Sequence, residues 1–146
     1  MDIEGRWYNE LGSEMNLTVT ADGLVSGVYR TAVADRPLPP PRPLAGLCDA
    51  RPRPGRPQSI AFAVEWGHPE SAIGSITAWS GQFQVITDQG KEEQVLVTTW
   101  LLTTETERPG AWSSTLVGHD VFTRSRPDPA AVARARALRP QDGRGR

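Results

Sequence analysis

The chain carries one cysteine, Cys48, in 146 residues. No intramolecular disulfide can form, so the fold must be held by its core and by any contacts between subunits, and Cys48 is expected to be a free, buried thiol. Histidine is almost as scarce: His68 and His119 stand far apart. They make no metal-ligand spacing, and no nucleophile–base pair is visible anywhere in the chain, which argues against an enzyme. No apolar run approaches the roughly 18 residues of a membrane helix, so no membrane partner is expected. No signal peptide precedes Met1-Asp2-Ile3-Glu4. Net charge is also nearly absent, at −1, but it is unevenly spread. From Arg124 onward seven arginines face two aspartates, giving +5 and leaving −6 for the rest. The basic end reads as a solvated tail rather than a nucleic-acid arm, and no nucleic-acid partner is expected.

What the chain does have is turn formers and tryptophan. There are 14 glycines, 13 prolines and five tryptophans, against two tyrosines and three phenylalanines. That balance suits one small all-β domain. Strands are expected at about Gly5 to Asn9, Met15 to Thr20 and Val25 to Val33, with Ala21-Asp22-Gly23 as a tight hairpin turn. Eight of the 22 residues from Arg36 to Pro57 are proline, which cannot donate to a strand ladder. This gives an extended loop at 35–43, a short strand from Leu44 to Cys48 and a second loop at 49–57. Pro37 to Pro43 reads as a stiffened loop in preference to an SH3-type ligand.

Ser59 to Trp66 places Ile60, Phe62, Val64 and Trp66 on one face, a core strand by pattern. Ser75 to Gln82, Gln94 to Thr104 and Thr115 to Thr123 complete the set, with turns at Asp88-Gln89-Gly90-Lys91 and Arg108-Pro109-Gly110 and with Trp112 on the loop before the last strand. Eight consecutive strands joined mostly by short turns predict an all-β, eight-stranded antiparallel up-and-down β-barrel over residues 1–126. Closure leaves no exposed edge, and eight strands enclose room for side chains or one small ligand. Residues 127–146 form a basic C-terminal tail, poorly ordered or with a short surface helix after Asp128-Pro129.

Strand side chains alternate between faces, so Ser75, Thr77 and Trp79 share one. Turned inward, these faces gather Trp66, Trp79 and Trp100 as walls at the barrel mouth. Asn9, Ser13, Tyr29, Thr31, Ser75, Thr77 and Asp120 become its hydrogen-bonding points. A buried Asp120 needs donors, which a ligand bearing N–H groups supplies. Asn, Ser and Tyr together offer three donors to one carbonyl oxygen.

Five stretches then stand in register: Gly5-Arg6-Trp7-Tyr8-Asn9-Glu10-Leu11-Gly12-Ser13, Gly27-Val28-Tyr29-Arg30-Thr31-Ala32-Val33, Ser75-Ile76-Thr77-Ala78-Trp79-Ser80-Gly81-Gln82, Trp100-Leu101-Leu102-Thr103, and Ala111-Trp112 through His119-Asp120. Together, in this order over residues 5 to 123, they resemble the avidin/streptavidin family. The resemblance implies biotin as ligand and no cofactor. Asn9, Ser13 and Tyr29 would donate to the ureido oxygen. Asp120 would accept one ureido N–H, and Thr31, where the family often has Ser, the other. Thr77 would meet the thioether sulfur and Ser75 the valerate carboxylate, with Trp66, Trp79 and Trp100 enclosing ring and chain. Val33 and Asp35 complete the implied set beside the loop over the carboxylate end. The family's Trp at the position of Trp112 enters a neighbouring subunit's site, which implies a homotetramer. A secreted or periplasmic protein is implied as well.

Three departures stand beside these matches. Ala34-Asp35 replaces Gly-Asn, the Pro-rich loop is unlike streptavidin's, and Cys48 replaces an aromatic. An inward Asp35 would repel the ligand's carboxylate, and a stiff loop set in a non-closing shape would weaken binding. The same barrel holding another small amphipathic ligand, lipocalin-fashion, is the alternative reading. A hydrolase built on Asp120 and His119 is rejected, because adjacent strand residues point to opposite faces.

Overall fold

A computed structural model describes residues 2–33, 38–67 and 73–138. Eight strands, β1 (Gly5–Tyr8), β2 (Glu14–Val19), β3 (Leu24–Arg30), β4 (Arg42–Cys48), β5 (Gln58–Glu65), β6 (Ser75–Asp88), β7 (Lys91–Thr104) and β8 (Thr115–Thr123), pair antiparallel in chain order. β8 returns to β1 and closes the barrel. The expected architecture is therefore the one found. Alternation makes it: in β5, Gln58, Ile60, Phe62 and Val64 are buried while Ser59, Ala61 and Glu65 are exposed.

Pairing is uneven around the wall. β6 and β7 are held by an unbroken ladder from Ser75↔Thr104 to Asp88↔Lys91. The β8–β1 seam has a single register pair, Tyr8↔Thr123. Side chains extend that seam. Glu10 Oε1 accepts the Val121 N–H at 2.8 Å, and Arg126 Nη2 donates to Glu14 Oε2 at 2.8 Å.

One end of the barrel is plugged. Trp7 is fully buried, edge-on to Phe83 with ring centroids 6.1 Å apart. The Arg124 guanidinium lies 3.7 Å from the centre of the Trp7 ring. Its Nε donates to Gln94 Oε1 at 2.9 Å, its Nη1 to the Glu4 carbonyl at 2.8 Å and its Nη2 to the Asp2 carbonyl. Burial lowers its pKa, while the Asp2 carboxylate acts in the opposite sense. The N-terminal segment and the β7 side chain of Gln94 thus meet on one cation.

Several boundaries depart from expectation for local chemical reasons. β1 stops at Tyr8 instead of Asn9, because Asn9 Oδ1 accepts the Leu11 and Ser13 N–H groups at 3.1 and 2.9 Å and turns the chain. β3 stops at Arg30 instead of Val33, because the Thr31 hydroxyl accepts the Val33 N–H at 3.1 Å and donates to the Val33 carbonyl at 3.0 Å. β4 begins at Arg42 and takes in Pro43, opposite Val28. Proline's fixed φ fits an extended strand and costs only one donor. β6 runs on from Gln82 to Asp88 and β7 begins at Lys91. Trp112 lies on a 3₁₀ turn, Arg108–Ser113, rather than an open loop. Cys48 is free as expected, but half-buried. The tail forms a helix, α1 (Pro129–Leu138), whose residues Ala131, Val132 and Ala135 are half-buried.

Candidate functional site

The other end of the barrel is open and polar. Asn9 and Ser13 are 3% and 1% exposed. Both accept backbone N–H groups. Asn9 Oδ1 takes two N–H groups of its own turn. Ser13 Oγ takes the Ala32 N–H at 3.0 Å. Each side chain also carries a donor, the Asn9 amide nitrogen and the Ser13 hydroxyl proton. Tyr29, beside them, is fixed by stacking on Trp79 (centroids 5.1 Å apart, planes at 28°) and by edge contacts with Trp66 and Phe122.

Across the cavity, Asp120 is 4% exposed. Trp79 Nε1 donates to its Oδ2 at 2.9 Å, and Thr98 Oγ1 fixes its carbonyl at 2.9 Å. An indole N–H on a buried carboxylate is a charge-assisted bond and holds both side chains in place. Trp66 Nε1 donates to Thr77 Oγ1 at 2.7 Å, which leaves the Thr77 hydroxyl proton for the cavity. Trp79 is sandwiched between Tyr29 and Phe62, the latter at 5.0 Å and 14°. Trp100 stands opposite Gly118, where a Cβ would lie 2.2 Å from Trp100 Cζ2. Only glycine gives that indole its place.

The enclosed space is about 480 Å³, within the range of small-molecule sites. It is lined by eleven of the residues singled out from sequence: Asn9, Ser13, Tyr29, Thr31, Val33, Trp66, Ser75, Thr77, Trp79, Trp100 and Asp120. Asp35 lies outside the described residues. Trp112 does not line this cavity; it is 88% exposed. Sequence reading missed Leu11, Pro39, Leu102 and Leu116, which also line it. Leu102 and Leu116 were within reach, since each stands two residues from an inward Trp100 or Gly118. A larger hollow, about 530 Å³, lies by the β6–β7 tip, but it is bordered by Asp88, Lys91, Glu92 and Glu93 and has no aromatic wall. His119 is exposed, with Nδ1 3.0 Å from Thr99 Oγ1, on the opposite face of β8 from Asp120.

The Avidin family model matches residues 1–125. The chain belongs to the avidin family. It is 38% identical over 128 residues to avidin-related protein 4/5 of Gallus gallus, covering 84% of this chain and 77% of that protein. It is 36% identical over 127 residues to Gallus gallus avidin, covering 85% and 78%. Fibropellin-1 of Strongylocentrotus purpuratus is 32% identical over 124 residues, which make up 84% of this chain and 11% of that protein.

The outside of this avidin-type barrel has an apolar region on β6–β8. Leu101 pairs with Val117 on β8 and Ala78 on β6, and all three point outward. Ile76, Leu101 and Val117 are 48%, 50% and 66% exposed. Adjacent large apolar side chains here face solvent.

Proposed function

We propose that the protein binds and sequesters biotin without catalysis. The observation that carries this reading is that backbone N–H groups bond to Asn9 Oδ1 and Ser13 Oγ, which orients the Asn9 amide nitrogen and the Ser13 hydroxyl as donors beside Tyr29 at one end of the cavity. Such a set matches a carbonyl flanked by N–H groups, as in the ureido ring. Asn9, Ser13 and Tyr29 donate to the ureido oxygen, and Asp120 and Thr31 accept the two N–H groups. Thr77 faces the thioether sulfur, and Ser75 the valerate carboxylate. Trp66, Trp79 and Trp100, with Leu102 and Leu116, cover the apolar atoms.

The same reading makes the outer face of β6–β8 a subunit interface in a homotetramer, with Trp112 supplied to a neighbour's site, and makes the protein a secreted or periplasmic one. The exposure of a large indole at Trp112 and of Ile76, Leu101 and Val117 on β6–β8 supports the interface. A different amphipathic ligand is the second reading, supported by Pro39 at the cavity mouth; competition with biotin analogues separates the two.

Calorimetric titration with biotin and a native mass test the proposal together. One site per chain on a fourfold mass is the expected result. No heat and no displacement would discard biotin. Trp112→Lys is expected to weaken biotin binding and loosen the tetramer together, and an intact tetramer of undiminished affinity would remove Trp112 from the site.

A further inference from the structure

Residues 127–138 lie beyond the segment that matches the avidin family, yet they touch the machinery of the cavity. Asp128 starts α1: its Oδ1 accepts the Ala131 N–H at 2.7 Å and its carbonyl the Val132 N–H at 3.0 Å. The segment leading into the helix is tied to the barrel by the Arg126–Glu14 ion pair and by the Arg126 guanidinium 4.9 Å from the centre of the Tyr8 ring. The helix then crosses the two loops that follow β1 and β3. Gly12, at φ +84°, faces the helix. A Cβ there would lie 3.7 Å from Val132 Cγ2 and 4.0 Å from Ala32 Cβ. One turn further on, Arg136 Nη2 donates to the Ala32 carbonyl at 3.1 Å.

Those two loops carry Asn9, Ser13, Thr31 and Val33, and they meet in one bond, Ala32 N–H to Ser13 Oγ. The Ala32 residue is therefore held from both sides. Its N–H sets the Ser13 hydroxyl, and its carbonyl is taken by the helix. Linked hydrogen bonds of this kind polarise one another. A loop held in place before the ligand arrives loses less entropy on binding.

We propose that α1 is a brace, with Val132 and Arg136 as positioning residues that hold the 9–13 and 31–33 loops in the geometry that presents the Ser13 donor to the cavity. The link to biotin rests on the function proposed above; the bracing of the loops does not.

The test uses full-length chains carrying Val132→Asp, Arg136→Met and Arg136→Lys, with two readouts. Amide hydrogen exchange without ligand reads the loops alone. In Val132→Asp the Ser13 and Ala32 amides are expected to exchange about tenfold faster, and in Arg136→Met about threefold faster, with Arg136→Lys restoring most of the protection. Biotin dissociation is expected to quicken by the same factors while Tm holds within about 2 °C, since the barrel core is untouched. Exchange at Ser13 and Ala32 equal to the unmodified protein in both Val132→Asp and Arg136→Met would overturn the brace. Faster exchange with an unchanged biotin dissociation rate would overturn its role in the site. If the unmodified protein takes up no biotin, the function proposed above fails, and the exchange measurement alone decides the brace.

Discussion

The two ends of this barrel are built on the same alternation and finished with opposite chemistry. At the closed end, Trp7, Phe83 and Leu96 fill the interior, and Arg124 donates to the Asp2, Glu4 and Arg6 carbonyls and to Gln94. At the open end Tyr29, Trp79 and Trp100 are just as aromatic, but polar side chains such as Asn9, Ser13 and Thr77 line a cavity among them. A core and a site are thus separated by bookkeeping of hydrogen bonds rather than by hydrophobicity. Tryptophan shows it well. Trp7 Nε1 is satisfied by the Ile3 carbonyl at 2.8 Å, whereas Trp66 and Trp79 spend theirs on Thr77 and Asp120, two residues that line the cavity.

The comparison breaks most sharply at Asp120. Asp120→Ala removes the carboxylate and strands the buried Trp79 N–H, so biotin binding is expected to weaken by about 2–5 kcal/mol in a calorimetric titration. Unchanged affinity would take Asp120 out of the site. Arg124→Met is the counterpart at the closed end. It loses the contact over Trp7 and the bonds to backbone carbonyls, so stability is expected to fall by about 2–4 kcal/mol and Tm by about 5–12 °C. Biotin dissociation, read at a temperature where the variant is folded, is expected to stay as it was. If it quickened, the two ends would not be independent.

A smaller effect is expected from Gly118→Ala, which acts on a wall of the site without touching its polar atoms. The added methyl would overlap Trp100 and force the indole to rotate. Over-packing of this size costs about 1–3 kcal/mol, and it is expected to appear as weaker biotin binding with a shifted tryptophan emission. Equal affinity and emission would show that the Trp100 wall can yield at no cost.

How much of this was legible in the sequence follows the same division. Strands with one face in the barrel announce themselves, as in the Ile60, Phe62, Val64 and Trp66 series, and so did the inward Ser75, Thr77 and Trp79. The far half of β6 did not, because Val85 and Ile86 are both exposed and present no alternation to read. Asn9 and Thr31 were expected at the cavity and line it, but their part in ending β1 and β3 by bonding nearby backbone is local geometry that no periodicity encodes. Pro39 reaches the cavity because of how a loop folds. The helix brace was invisible for a similar reason: Ala131, Val132 and Ala135 make contact with little apolar bulk, and short side chains on a basic segment look like a solvated face.

Cys48 gives the mildest probe of the difference between the ends. It closes β4 far from the cavity, packs against the core, and lies 3.8 Å from Gln58 Nε2. Burial, helped by the Asp49 carboxylate, raises its pKa above that of an ordinary thiol. Because the thiolate is the reacting form, alkylation is expected to be slower than that of a free cysteine at neutral pH and to rise only at a more alkaline midpoint. The folded state favours the neutral thiol. Its contribution to stability is therefore complete below the unfolded thiol's pKa and is lost as pH rises through the raised value. Saturating biotin is expected to leave the alkylation profile in place, since Asn9, Trp79 and Asp120, proposed to meet the ligand, line the cavity at the other end. A midpoint at or below the ordinary thiol value would show the closed end to be wet. A profile that moved with biotin would show that the two ends communicate through the barrel wall.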